Sequence, residues 1–294
     1  GNMSGDNFSA MGSDSAFGMF DTMGTDRVMD LEGDQLGGML DAMGPEHFND
    51  IGGGQMFEMA ESMSGDNFSA MGSDSAFGMF DTMGTDMVMD LEGDQLAGMF
   101  DAMEHDQIGQ MEGSMVFDVF ESMGTEGMMS LDGDSMAGMF DAMDSGHFHD
   151  IGGDQMFDMA GNMSGENFAA MDSDSAFGMF EAMGASTAQG LEGDQLGGMF
   201  SAMEYSNFGD IGGSQVFDLA GGMSGEDLAQ MGSESALGMF ESMGSGIAMD
   251  MGGEQLAGMF SAMGHEHMAS MGSDTLVEAA DKMEFEDFQM MGGD

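Results

Sequence analysis

An all-α solenoid of tandem 20-residue helix-turn-helix units is the fold this sequence predicts. Three observations predict it. Methionine occupies every twentieth position from Met3 to Met283, fifteen places without exception. Such a period marks one supersecondary unit copied end to end, each copy burying its apolar face against its neighbours. Within the unit, apolar residues recur at spacings of three, four and seven, a helical signature rather than the alternation of a half-buried strand. Acids and glycines punctuate the unit where helices start and stop.

Counting from the residue after each landmark methionine, the chain reads as one repeat array over residues 1–294. Its full units are 4–23, 24–43, 44–63, 64–83, 84–103, 104–123, 124–143, 144–163, 164–183, 184–203, 204–223, 224–243, 244–263 and 264–283, followed by a partial unit at 284–294. Position 5 is mostly apolar (Phe8, Val28, Phe48, Phe68, Val88, Ile108), and position 8 is Met, Leu or Ile (Met11, Leu31, Ile51, Met71). These two form the face of a first helix. Position 13 (Ala16, Leu36, Met56, Leu96), positions 16 and 17 (Met19-Phe20, Met99-Phe100) and the landmark at position 20 form the face of a second.

Acids often open the halves: Asp6, Asp26, Asp66 and Asp86 in the first, Asp14, Asp34, Asp74 and Asp94 in the second. Asp is a good N-cap and complements the positive end of the helix dipole. Glycine often closes them, as Gly12 and Gly24 do, where a left-handed residue is wanted. Each unit is therefore expected to hold a first helix of about 5–6 residues and a second of about 8–9. Helices this short need stacking to persist. A β-solenoid is the alternative, since its coils share this length and glycine is abundant; scarce Val, Ile and Thr argue against it.

Three unit types alternate. The first resembles Ser64–Met83, the second Gly84–Met103 and the third Asp144–Met163. In the third, Gly at position 15 becomes Glu58, Asp158 or Asp218, and Phe at position 17 becomes Ala60, Ala160 or Ala220. The linked changes predict a different packing environment for every third unit, or a face turned to a partner. The order breaks once, at residues 104–123, which start like the third type and finish like the first. Residues Ser4–Asp26 are identical to Ser64–Asp86. Whole units have been duplicated and lost, a history a scaffold tolerates better than a catalytic centre of unique residues.

Composition narrows the function classes. The chain has 56 acids against two bases, Arg27 and Lys282, and a formal charge of −54. Internal salt bridges cannot balance that, so cations must screen the self-repulsion, unless the acids serve only as a solubility coat. The same charge excludes phosphate-reading nucleic-acid binding and docking on an anionic membrane surface. There is no cysteine, hence no disulfide or thiolate metal site, and no apolar run long enough for membrane insertion. The chain opens Gly1-Asn2-Met3 without a signal peptide, as a mature product or excised fragment does. The half unit at its end suggests a longer natural protein.

Candidate chemistry lies in the acidic turns. Oxygen-rich, glycine-containing turns suit a hard cation, Ca²⁺ above all, and the donors would be Asp14, Asp34, Asp74, Asp94, Asp134, Asp154, Asp174 and Asp194. Plain helix capping is the competing reading of the same residues, and no EF-hand loop is present. The thioethers suit Cu(I) or Ag(I), but the methionines exchange with Leu and Ile at position 8, as flexible core fillers do. The two His-x-His pairs, His147/His149 and His265/His267, read as surface residues rather than metal ligands. Histidine is too scarce to build a triad, and no carboxylate pair stands out, so no enzyme is expected.

These readings lead to an extracellular or cell-surface structural protein, of bacterial type. It would be a cation-stiffened spacer or building block of an adhesin, surface layer or filament, self-associating head-to-tail or laterally. The composition resembles the acidic repeat regions of large secreted bacterial surface proteins. The competing classes are a metal-handling protein that stores or buffers ions, and a module binding a protein or glycan through Glu58, Asp158 and Asp218.

Overall fold

The computed structural model describes residues 4–143 and 145–291. Met3 and Asp144 of the repeat pattern lie outside the described residues. The chain is an all-α repeat solenoid, and no described residue lies in a strand, which overturns the β-solenoid alternative. The physical reason is the three-and-four spacing: as a strand it would leave half of the methionines and phenylalanines in water.

Two compact units make up the chain, Gly1–Met143 and Asp144–Asp294, divided at a boundary between two of the repeats. In each, a repeat contributes a short first helix and a longer second helix. In the first unit these include Gly5–Ser9 with Ser13–Met23 and Gly65–Ser69 with Ser73–Met83. In the second they include Gly165–Ala170 with Ser173–Met183 and Gly225–Ala229 with Ser233–Met243. Two long helices, Gly113–Met128 and Gly253–Ser270, are each a second helix joined to the next first helix across a glycine kink, at Gly124 and Gly264.

The second helix is longer than expected: 11 residues in Ser13–Met23, Gly33–Met43 and Ser73–Met83. It runs through the landmark methionine, and the following glycine stops it with a positive φ (74° at Gly24, 70° at Gly44, 74° at Gly84). In the third type it ends early, at Ala60, Ala160 or Ala220. Gly12 corrects a second expectation. Its φ is −77°, so it is the extended N-cap of the following helix and not a left-handed stop. The acids are corrected likewise. Asp6, Asp26, Asp14, Asp34, Asp74 and Asp94 are the second residues of their helices. The caps are Ser4, Gly24, Gly12, Glu32, Gly72 and Glu92.

The interior is where the repeat placed it. Position 5 is sealed in every type, with Phe48, Phe68, Val88, Phe148, Phe168 and Phe208 each 0% exposed. All twelve landmark methionines from Met43 to Met263 are buried; Met23 and Met283 are half-buried. Phenylalanines at position 17 of successive repeats meet edge to face or tilted: Phe80 and Phe100 at 5.8 Å, Phe180 and Phe200 at 6.2 Å, Phe240 and Phe260 at 5.8 Å. Such pairs add about 0.5–1.5 kcal/mol beyond area burial.

Packing follows the three unit types. A first-type first helix lies on the second helix of the next repeat, a second-type one: Gly5–Ser9 on Gly33–Met43, Gly65–Ser69 on Gly93–Asp101, Gly165–Ala170 on Gly193–Ala202. Glycine makes that crossing. A Cβ on Gly38 would stand 2.3 Å from the Gly5 carbonyl oxygen, and one on Gly198 2.0 Å from that of Gly165. A third-type first helix lies instead on a first-type second helix, as Phe48–Ile51 on Ser73–Met83 and Tyr205–Ile211 on Ser233–Met243. In the third type the acids at position 15, Glu58, Asp158 and Asp218, are exposed. No helix among the described residues is long and apolar enough to cross a membrane.

Candidate functional site

The glycine crossings leave open clefts at equivalent places. One is lined by Ser4, Gly5, Asp6, Ser9, Asp34, Gly37, Gly38, Asp41, Asn67 and Ala70. A second is lined by Ser64, Gly65, Asp66, Ser69, Asp94, Ala97, Gly98, Asp101 and Ser130. The third, of about 370 Å³, is lined by Ser164, Gly165, Glu166, Ala169, Asp194, Gly197, Gly198, Ser201, Asp227 and Gln230. The cause is local: two helices touching at glycines have no side chains to fill the groove beside the contact, so polar residues at its rim face water.

Of the eight predicted cation donors, Asp34, Asp94 and Asp194 line these clefts. Asp14, Asp74, Asp134, Asp154 and Asp174 do not line them. All eight occupy the second position of their helices and are exposed. There each complements the positive end of its helix. Asp34 also accepts the Gly5 N–H at 3.4 Å, and Asp74 accepts the Gln107 side-chain amide at 3.2 Å. Among the described residues no three His, Asp or Glu side chains converge to hold one ion. A cation here would meet one or two carboxylates with hydroxyl and carbonyl oxygens, a weak and largely hydrated site.

Three connections were not foreseen from the sequence. The first is a glutamine clamp. Gln95 is buried; its Oε1 accepts the Glu92 N–H at 3.0 Å, and its Nε2 donates to the carbonyls of Ala60 at 3.1 Å and Met63 at 2.6 Å. Gln195 repeats this on Ala160 and Met163, and Gln255 on Ala220 and Met223. The clamp satisfies the carbonyls of Met63, Met163 and Met223 just past the shortened third-type helix, and gives those of Ala60, Ala160 and Ala220 a second donor besides the N–H of that methionine. The sequence did not single it out: Gln35, Gln95, Gln195 and Gln255 stand at position 12 of the second type, but Gln55, Gln155 and Gln215 stand at the same position of the third.

The second connection runs from position 18 to a helix start 31 residues on. Asp41 accepts the Gly72 N–H at 2.8 Å, Asp101 the Asp132 N–H at 2.9 Å, and the Ser201 hydroxyl the Gly232 N–H at 3.1 Å. Burial pushes the Asp101 carboxyl above the usual carboxylate range, and the Asp132 charge adds to that; the Asp132 N–H and Ser135 pull the other way. The third runs from position 2 to position 18. His105 Nε2 lies 2.9 Å from Asp141 Oδ2, and the Tyr205 hydroxyl donates to Glu241, which raises the tyrosine above its ordinary pKa.

The other metal readings fare unevenly. His149 and His265 are exposed, whereas His147 and His267 are half-buried. His267 sits 2.9 Å from the Met263 carbonyl and 3.4 Å from Glu234. The landmark thioethers lie in the core, and Met115 sulfur already accepts the Thr85 hydroxyl at 3.0 Å. Compared with models of known families and with curated proteins, the chain matches none.

Proposed function

We propose that the chain is a non-enzymatic structural repeat protein of the extracellular space or cell surface, bacterial in type. It would serve as a spacer or building block whose repeats are stiffened by divalent cations. The observation that carries this reading is the exposure of the eight candidate aspartates, each second in its helix and spread over eight of the fourteen full repeats, on a chain with two bases. Every repeat adds unbalanced negative charge to the surface while adding to the Met and Phe interior of its own compact unit. Hydrophobic burial holds the stack together and charge loosens it. Ca²⁺ shared between surface carboxylates and cleft hydroxyls would shift that balance toward the ordered stack, by binding the folded surface better than the unfolded chain.

Burial of the landmark thioethers supports packing over soft-metal storage as the role of methionine. Electron microscopy with Ca²⁺ and with a chelator tests the proposal. Uniform particles in Ca²⁺ and heterogeneous ones in chelator are expected. Indistinguishable populations, or uptake of many Cu(I) ions per chain at unchanged fold, would overturn it.

A further inference from the structure

Between Met39 and Met263, where every repeat has a neighbour on each side, the methionines are buried except at one place. Met87, Met89, Met111 and Met115 are half-exposed there, and Met129 is 37% exposed. Thr85 donates its hydroxyl to the Met115 sulfur at 3.0 Å, and Ser122 donates to the Met89 sulfur at 3.9 Å. The helices Thr85–Val88 and Gly113–Met128 therefore meet along a seam of thioethers. Met87 lines an open cavity of about 270 Å³ with Met83, Gly84, Thr85 and Asp86, and Met111 stands two residues before the second helix. The broken repeat order makes the seam. Intact third-type units bury Ile51, Ile151 and Ile211 at position 8 and carry glutamine at position 12; residues 104–123 carry Met111 and Met115 instead. Met249, at the position of Met89, is 2% exposed.

We infer that this seam is a site of methionine S-oxidation, that its substrate is a neutral peroxide, and that it takes up oxygen without unfolding the stack. The thioether sulfur attacks one peroxide oxygen and the O–O bond breaks. That oxygen stays on sulfur as the sulfoxide and passes its proton to the departing hydroxide, which leaves as water; sulfur is oxidised and peroxide reduced. Access decides which thioethers react, and Met99, Met103 and Met123 of the same repeats are screened by burial. In the core a sulfoxide oxygen would be a polar group without a partner. In the seam it reaches water or, at Met115, the Thr85 hydroxyl, which already points at that sulfur. Charge selects the oxidant. Asp86, Asp90, Glu112, Asp118 and Glu121 are exposed on or beside the same two helices, with no base among them, so anionic oxidants are repelled and a neutral peroxide is not. The chain has no cysteine to compete for it.

Peptide mapping by mass spectrometry after brief hydrogen peroxide treatment of the full chain tests this without reference to Ca²⁺ or to the scaffold proposal. Met87, Met89, Met111 and Met115 should each gain one oxygen several-fold faster than Met99, Met103 and Met123, with helical circular dichroism unchanged. In urea all of these methionines should react alike. Peroxymonosulfate, an anion, should oxidise the four faster as NaCl rises, whereas hydrogen peroxide should be indifferent to salt. Equal rates at the four and at Met99, Met103 and Met123 in the folded chain overturn the inference. So does a rate difference that persists in urea, a loss of helix in step with oxidation of the four, or a peroxymonosulfate rate that ignores salt.

Discussion

The side-chain amide of Gln95 donates to the Met63 carbonyl at 2.6 Å, joining the start of one second helix to the end of another 32 residues earlier. The same glutamine holds the Glu92 N–H and the Ala60 carbonyl. Replacing it with leucine leaves the Met63 carbonyl buried without a partner, at a cost of about 1–3 kcal/mol, while the Ala60 carbonyl keeps the Met63 N–H. Gln95→Leu should therefore lower the urea midpoint clearly. Gln55→Leu, an exposed residue at the same position of a third-type helix, should stay within about 0.5 kcal/mol of wild type.

That contrast marks how far the sequence carries. Positions 5, 13 and 20 were legible as core because helical periodicity reports burial of a face. Gln95 and Gln55 share residue type and position, and their fates differ because of a partner 32 residues away, to which local spacing is blind. The aspartates failed more narrowly. Asp14 was legible as an acid favouring a helix start, but Gly12 had already taken the cap by adopting an extended φ, so Asp14 falls two residues inside. The clefts were not legible because they depend on which glycines touch. Only the linked change to Glu58 and Ala60 hinted that every third unit packs differently.

Glycine at position 15 gives a second comparison. Gly198→Ala places a methyl 2.0 Å from the Gly165 carbonyl oxygen, a backbone atom that cannot swing aside. Overpacking of this kind costs about 1–3 kcal/mol. Gly209→Ala, in a helix with nothing within 4 Å, should stabilise by about 0.5–1 kcal/mol through helix propensity alone. Opposite shifts in the thermal midpoint are expected, and equal shifts would remove the crossing from the account.

The landmark methionine is read as filler, which fixes its tolerance. Met103 is 4% exposed, and Met103→Leu keeps its volume, so a loss below about 1.5 kcal/mol is expected. Met103→Ala opens a cavity and should cost about 2–5 kcal/mol. Denaturant titration separates the two. Similar losses from both would mean that the sulfur itself matters.

Asp101 supplies a pH test with a definite sign. Its carboxyl titrates higher in the folded chain than in the unfolded one, because burial disfavours the charge. The folded state therefore binds the proton more tightly, and the penalty is absent in acid and appears as pH rises through the raised folded value. Asp101→Asn keeps an acceptor for the Asp132 N–H and carries no charge. The variant should melt above wild type at neutral pH, and the gap should close on acidification. A gap that widens in acid would reverse the assignment.

The dependence of folding on divalent cations is the claim on which the scaffold reading turns, and thermal unfolding in CaCl₂ against NaCl of equal ionic strength measures it. An ion held only by the folded surface at ten times its Kd adds about 1.4 kcal/mol per site. With weak sites repeated along the array, the midpoint should rise in CaCl₂ well beyond the NaCl control and fall back on chelation. Superimposable melting curves in the two salts would contradict it, leaving the carboxylates as a solubility coat.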